Sequence, residues 1–458
     1  MPLASTRPNE SVCAVVSMPK VQPDMVVRCK RLFFNPLTHG GIVRTVLLNA
    51  GPLAHLAPSK HNDNELISVE KAIIIKDGVI EEIKDSIDAL DEFGLPTAPG
   101  QTPRGLHVID LGGKAVVPGF VDAHTHLLWA GDRSQEVGWR QKGLTYTEIA
   151  SRGGGIRHTV ERTRQATEEE LIELGYVRLR EALRTGTTHL ETKSGYGLNT
   201  DSELRLLKIA DHLGGMENTP SIDATWMGAH DVPHGSTPEA YVESVIAEQL
   251  PAVIEQGIAR SADVFCEPGW FSVEQSEDIL SASKHHGLSL RMHIDEFVDG
   301  GGGELAASLG AVTADHAYHT QLDARLNMKE KGVITGFLPG TPYAMGDSWP
   351  DMDLIQEHDI PFTLATDFNP NCRTLSLPFM CSLMVQRCGM SPLSALRAVT
   401  STAAQSTPHP SGLPHGVIKE GAVANLNIVD GPHWELATLS PTGTPFAATI
   451  LNGQLITH

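Results

Sequence analysis

The sequence predicts an α/β protein, a (β/α)8 TIM barrel with a small β-sandwich domain built from both chain ends. Three observations predict it. The middle of the chain alternates apolar strands with amphipathic helices, the pattern of a parallel sheet. Eight strand candidates fall there, nearly every one followed by a helix, which argues for a closed barrel over an open sheet. Both ends are instead β-rich, with short β-branched runs and two-residue turns. A chain of 458 residues accommodates a barrel of roughly 250–300 residues plus a smaller domain.

Residues 1–24 are polar, with scattered proline and no periodicity, and are expected to form a tail. The sandwich is expected from 25–116 plus 410–458. It opens with MVVRCKRLFF at Met25 and continues with AIIIKDGVIEEI after a Pro/Asn/Gly-rich insert at 51–66. Lys76-Asp77-Gly78 between two β-branched runs signals a hairpin. The C-terminal stretch repeats the style with ANLNIVD and FAATILNGQLI, turning at Asn452-Gly453. The barrel is expected over 117–409. Its strands are AVVPGFVDAH, TTHLETKS, DATWMGAH, ADVFCE, LSLRMHID, AVTADH, GVITGFLP and PFTLATD. Helical segments include EEELIELGYVRLREALRTG, EAYVESVIAEQLPAVIEQG and SEDILSASKHHG. The interval between the first two strands, about 60 residues with Gly153-Gly154-Gly155 inside it, is long enough to fold over an active site.

Composition excludes several function classes. The chain is 41% hydrophobic and 20% charged, with no long biased tract. A formal charge of −20 disfavours nucleic acid and anionic membrane surfaces, and no basic–aromatic patch suggests otherwise. No apolar run reaches the roughly 18 residues needed to span a bilayer. The N-terminus shows no basic segment followed by an apolar one. Six cysteines, Cys13, Cys29, Cys266, Cys372, Cys381 and Cys388, form no CxxC and no disulfide framework. The expectation is a reduced, cytoplasmic enzyme acting on a small molecule.

The chemistry lies at the predicted strand ends, where catalytic groups of such barrels stand. His124-Thr125-His126 closes the first strand. Residues i and i+2 of a strand share a face, so both imidazoles reach one point inside the barrel. A lone His-x-His is weak, because two polar strand-end residues look the same. The other strands strengthen it: the fifth ends in Arg291-Met292-His293-Ile294-Asp295-Glu296, the sixth in Asp315-His316, and the eighth in Asp367-Phe368-Asn369-Pro370. Three neutral imidazoles and a carboxylate, His124, His126, His293 and Asp367, suit one divalent cation per chain with a position left for water. Zn2+ and Fe2+ both accept this set. The fourth strand ends in Cys266-Glu267 and holds no lysine that could be carbamylated to bridge two metals, which favours one ion. Lys193, at the end of the second strand, reads equally well as structural.

Such an ion makes hydroxide available near neutral pH. Asp367 can coordinate through one oxygen, accept the water's proton through the other, and pass it to a leaving nitrogen. His316 is not needed as a ligand and is placed to stabilise the oxyanion of a substrate carbonyl. Glu296, three residues past His293, can hold ring N–H groups or shuttle a proton; a solvated loop acid is the bland alternative.

The blocks HTHLLWAGDR, GGGI, KSGYGL, GAHDVP, DVFCE, HIDEF, TADH and LATDFNP occur in that order. Together they resemble the imidazolonepropionases, histidine-degrading members of the amidohydrolase superfamily, and the resemblance runs from about Met25 to the C-terminus. It implies hydrolysis of 4-imidazolone-5-propanoate to N-formimidoyl-L-glutamate at a mononuclear zinc or iron site, in a homodimer. Carried over by motif, it implies that Arg133 in AGDR, Tyr196 in KSGYG and His230 in GAH contact the substrate. A guanidinium fork, a phenol and an imidazole suit a propanoate tail. Asn369 and the following turn would bind the product's polar groups. There the chain departs from the pattern: Asn371-Cys372 stand where the family has Gly and then Ser or Thr. The departure bears on the backbone path, and Cys is a poorer hydrogen-bond partner than a hydroxyl.

Two rival readings use the same residues. A nucleobase deaminase attacks a ring amidine carbon with the same four ligands, but a nucleobase offers no carboxylate to Arg133 and Tyr196. A catalytically inactive barrel acting as a scaffold is expected to have lost ligands, and here all four candidates are present.

Overall fold

The computed structural model describes residues 44–56, 67–96, 105–144, 148–149, 152–346 and 349–457. The 1–24 tail, the β run expected at 25–34, Cys13, Cys29 and most of the 51–66 insert lie outside the described residues.

Each apolar run of the middle segment contributes to one eight-stranded parallel sheet. Its strands are β1 (Phe120–Asp122), β2 (Thr187–Lys193), β3 (Ser221–Ala229), β4 (Ser261–Cys266), β5 (Ser289–Ile294), β6 (Thr313–His316), β7 (Ile334–Phe337) and β8 (Phe362–Leu364). Neighbours in sequence are neighbours in the sheet, as a succession of βα units requires. β2, β4 and β6 are buried along their whole length, because helices cover one face and packed side chains the other. The ring closes just past the ends of β1 and β8. There the Asp367 N–H donates to the His124 carbonyl (3.1 Å) and the His126 N–H to the Phe368 carbonyl (2.9 Å). Asp122 clamps the same seam by accepting from the Thr366 N–H (3.0 Å) and hydroxyl (2.6 Å). Burial pushes its carboxyl up to about 7 against the pull of those donors. Two of the predicted metal-binding segments are thus joined by main-chain hydrogen bonds.

The helices begin where local chemistry tells them to. Thr167 with Glu170 and Ser272 with Gln275 form capping boxes at the starts of Glu168–Arg184 and Val273–His285. The helix expected over 239–257 is interrupted by a π-helical turn, Val245–Gln249, just before Pro251. Proline lacks an N–H and its ring crowds the carbonyl one turn earlier, which widens the turn. Among the described residues, the interval between β1 and β2 carries helices Gln135–Gln141 and Gly155–Gln165 besides the expected one, Glu168–Arg184.

The first expected strand, 115–124, is in fact two. Val116–Pro118 pairs in the sandwich, and β1 starts after Gly119. Pro118 has no N–H, Gly119 donates to the Asn425 carbonyl (2.8 Å), and Phe120 donates to Gly186 (2.9 Å). Successive donors therefore serve different sheets, and the chain passes from one to the other.

The described segments before and after the barrel share a six-stranded sheet in the order 454–457, 446–451, 426–429, 116–118, 53–54, 67–68. A four-stranded sheet in the order 79–85, 71–76, 44–50, 106–110 packs on it through Leu47, Ile73 and Ile80 against Val116, Leu426 and Ile450. Its far face, with Val46, Leu48, Ile74 and Val108, lies under helix Ser86–Phe93. Arg44–Ala50 is therefore an apolar run instead of an alternation. Both expected hairpins turn with positive φ at each central residue, Asp77-Gly78 and Asn452-Gly453, the geometry that matches strand twist. Among the described residues no helix is long and apolar enough to cross a membrane.

Candidate metal centre

The four candidate ligands come from the ends of β1, β5 and β8 and gather in two overlapping groups, His124 with His126 and Asp367, and His124 with His293 and His316. Oδ1 of Asp367 lies 3.6 Å from Nε2 of His124 and 3.6 Å from Nε2 of His126. Nε2 of His293 faces Nε2 of His126 at 3.3 Å, and the His124 and His293 rings are 4.5 Å apart. Two ligands about 2.1 Å from a common tetrahedral ion stand about 3.4 Å apart, so these spacings suit a single cation. Nε2 of His124 is buried without a hydrogen-bond partner among the described residues. His316 joins from β6, with a ring nitrogen within 4.8 Å of those of His124 and His293. A buried, orphaned imidazole nitrogen turned toward a carboxylate and two further imidazoles fits a divalent metal.

A second layer fixes these rings. Nδ1 of His124 bonds Asp315 (2.7 Å) and Nδ1 of His293 bonds Asp263 (3.0 Å). A carboxylate there accepts a hydrogen bond from Nδ1–H, which fixes that tautomer and leaves the Nε2 lone pair free. Gly336 on β7 makes room for Asp315, since a Cβ would stand 2.0 Å from its carboxylate oxygen. Asp263 pairs with Lys193 (2.7 Å), which also bonds Glu191 (3.0 Å), and none of the three side chains is exposed. Burial alone would lower the lysine pKa, but Asp263, Glu191 and Asp315 raise it. Lys193 is a structural cation.

Burial favours the neutral imidazole at His124, His126, His230 and His316. Burial is the first cause holding His124, His126 and His316 well below the ordinary imidazole range, and it lowers His230 to about 3. Neutral rings are what ligation requires. Burial raises Asp367, whose Oδ2 accepts from the Thr341 hydroxyl (2.9 Å) while Oδ1 faces the histidines. The strand ends carry strain as well: φ is 47° at Asp295, 65° at His316, 50° at Ala317 and 47° at Asp367. This left-handed region costs residues with a β-carbon on the order of 1 kcal/mol or more each.

The remaining predicted residues surround the same point. A cavity of about 120 Å³ is lined by His126, His293, His316, Asp367, Arg133, Tyr196, His230, Glu296, Asn369 and Asn371. It adjoins one of about 390 Å³ that shares Arg133, Trp270, Glu296 and Asp367 and adds Cys372, Arg140 and Leu144. A larger cavity, about 720 Å³ along helix Glu168–Arg184, contains none of the predicted residues. Oε2 of Glu296 is 3.7 Å from Nε2 of His316. Its loop is anchored by Glu267, which accepts from the N–H groups of Glu296, Phe297 and Val298. His230 bonds the Gly195 carbonyl through Nδ1 (2.9 Å) and stacks on His126 at 4.9 Å. Gly195, at φ 71°, has no room for a Cβ, which would meet Nδ1 of His230 at 2.8 Å. Arg133 is gripped by Glu136, Nε to Oε1 and Nη2 to Oε2, both 2.9 Å.

Comparison with known proteins fixes the family. Residues 107–191 match the model of the Amidohydrolase family. The imidazolonepropionase of Haloarcula marismortui is 39% identical over 357 residues, 78% of this chain and 84% of its own length. That of Symbiobacterium thermophilum is 37% identical over 420 residues, 90% of this chain and 97% of its own. The chain belongs to the imidazolonepropionase family. An adenosine deaminase from Xanthomonas campestris, solved with bound zinc, aligns with a TM-score of 0.61 at 16% identity, over 90% of this chain and 92% of its own. At that identity the likeness carries the fold.

Against the imidazolonepropionase pattern, the departure at Asn371-Cys372 is accommodated without glycine. Asn369 sets the turn: its Nδ2 donates to the Asp367 carbonyl (2.7 Å), and its Oδ1 accepts from the N–H groups of Asn371 (2.8 Å) and Cys372 (3.2 Å). Asn371 keeps an ordinary negative φ. Cys372 turns its thiol to the Thr366 carbonyl (3.6 Å), and burial raises its pKa. The sequence reading passed over Asp263, Glu191, Thr341 and Arg140. Asp263 lies two residues before Phe265, whose ring is 5.7 Å from that of His293, so strand alternation could have placed it inward. Thr341 sits on the short helix after β7, where no spacing marks it.

Proposed function

We propose that this chain hydrolyses the ring C–N amide bond of 4-imidazolone-5-propanoate to N-formimidoyl-L-glutamate, with one divalent cation, zinc or iron, held by His124, His126, His293 and Asp367. The observation that carries the reading is the convergence of those four side chains, with neighbouring donor atoms 3.3 and 3.6 Å apart. When bound, the ion supplies an acidified water and a Lewis acid for the carbonyl. The protein's own groups do the rest. Asp367, steadied by Thr341, takes the proton of the attacking water and returns it to the departing ring nitrogen. His316, neutral, donates an N–H to the oxyanion. Glu296, beside His316, accepts from the ring N–H and fixes the plane of the ring. Tyr196, His230 and Arg133 orient the propanoate. On the resemblance, the working assembly is a cytoplasmic homodimer.

The test is an assay of purified protein on enzymatically generated 4-imidazolone-5-propanoate, followed by loss of the imidazolone absorbance. The loss is expected, is abolished by a chelator and returns with added metal. Metal-replete protein that leaves the imidazolone intact and releases ammonia from guanine or cytosine would establish the deaminase reading instead.

A further inference from the structure

Arg133 is not the only guanidinium described on the cavity wall; Arg140 is a second. Arg133 and Glu136 face each other as a bidentate pair with side chains 6% and 4% exposed, and Glu136 also accepts the Gly155 N–H (2.7 Å). That pair is neutral as a unit. Arg140, one turn beyond Glu136 on helix Gln135–Gln141, is half-buried and lines the 390 Å³ cavity with both of them. Its Nη1 donates to Oδ1 of Asn371 at 3.4 Å. Among the described residues no carboxylate oxygen lies within ion-pairing distance of this guanidinium. Burial lowers its pKa, Glu136 pushes it up and Arg133 pushes it down, so the three charges act on one another. Glu136 is taken up by Arg133, while Glu296 and Asp367, which line the same cavity, face His316 and the candidate ligands His124 and His126. Among the described residues the Arg140 guanidinium therefore stands without an ion-pair partner in a partly dehydrated wall, where unpaired charge is costly. An entering anion relieves it.

We propose that Arg140 is a second carboxylate-binding residue, and that it, more than Arg133, distinguishes an anionic substituent from a neutral one. Asn371 is its positioning residue, since it offers the guanidinium a neutral acceptor that a carboxylate displaces. The inference rests on the reading that the substrate carries a propanoate. Calorimetric binding of imidazole-4-propanoate and of its carboxamide to the metal-loaded full-length protein tests it. The wild type is expected to favour the carboxylate by about 10–100-fold, the range of a charge-assisted hydrogen bond. Arg140→Met is expected to bring the two ligands within about 3-fold of each other, and Arg140→Lys to keep part of the preference. Retained amide binding reports that a variant is folded. A methionine variant with the wild-type preference, or a lysine variant no better than the methionine one, overturns the proposal. Binding is read without turnover, so failure of the proposed reaction and failure of this inference show separately.

Discussion

His124 and His293 each commit Nδ1 to a carboxylate, Asp315 and Asp263, and so present Nε2 in a fixed direction. That the four candidate ligands would come together was legible in the sequence because strand alternation puts i and i+2 on one face and barrel chemistry sits at strand ends. Their carboxylate partners were not, because which side chain backs which imidazole depends on register between strands. Lys193 shows the difference: its sequence context left two readings open, and its burial between Asp263 and Glu191 resolves them. Lys193→Met should leave two buried carboxylates without their cation and cost about 3–5 kcal/mol; urea unfolding showing a loss below about 1 kcal/mol would contradict that. His316→Ala should keep the metal while kcat falls by about 10²–10³, the usual worth of an oxyanion donor. A near-normal kcat removes His316 from that role.

The strand ends, more than the strands, are where this sequence stores its chemistry. All eight barrel strands were readable from apolar runs followed by helices. The break at Gly119 was not, since Val116–Asp122 is one continuous β-like run and only the partners of successive N–H groups divide it. The turn at Asn369–Cys372 was equally hidden: an asparagine side chain does there what glycine was expected to do. On β7, Gly336 supports the site without touching it. Gly336→Ala would put a Cβ 2.0 Å from the Asp315 carboxylate and push it off His124. The expected outcome is a folded protein whose metal affinity falls about 10–100-fold, as for other losses behind a ligand; unchanged affinity in a chelator competition would show that Asp315 does not orient His124.

For the whole molecule, burial of so many imidazoles couples stability to pH. His189 on β2 is fully buried, with His409 and His415 around it at ring separations of 5.0–5.5 Å. Burial is the first cause lowering all three, His409 to about 4. Their folded values lie below the unfolded value near 6.5, so the unfolded chain takes up protons first as pH falls. The stability they contribute is complete above about pH 6.5 and is lost below it, at up to about 1.4 kcal/mol per pH unit and group. His189→Leu should therefore lose Tm less steeply than wild type between pH 7 and 5, and parallel slopes would contradict this. At the barrel's closing seam stand His124, His126 and Asp367, so the main-chain hydrogen bonds that close the ring also hold three of the candidate ligands in place. The most direct test is stepwise addition of zinc or ferrous iron to metal-stripped protein, with bound metal and imidazolone hydrolysis measured in each sample. Activity should rise in proportion to bound metal and level off at one ion per chain, with His293→Ala neither binding nor turning over; full hydrolysis by protein holding substantially less than one ion would contradict the account.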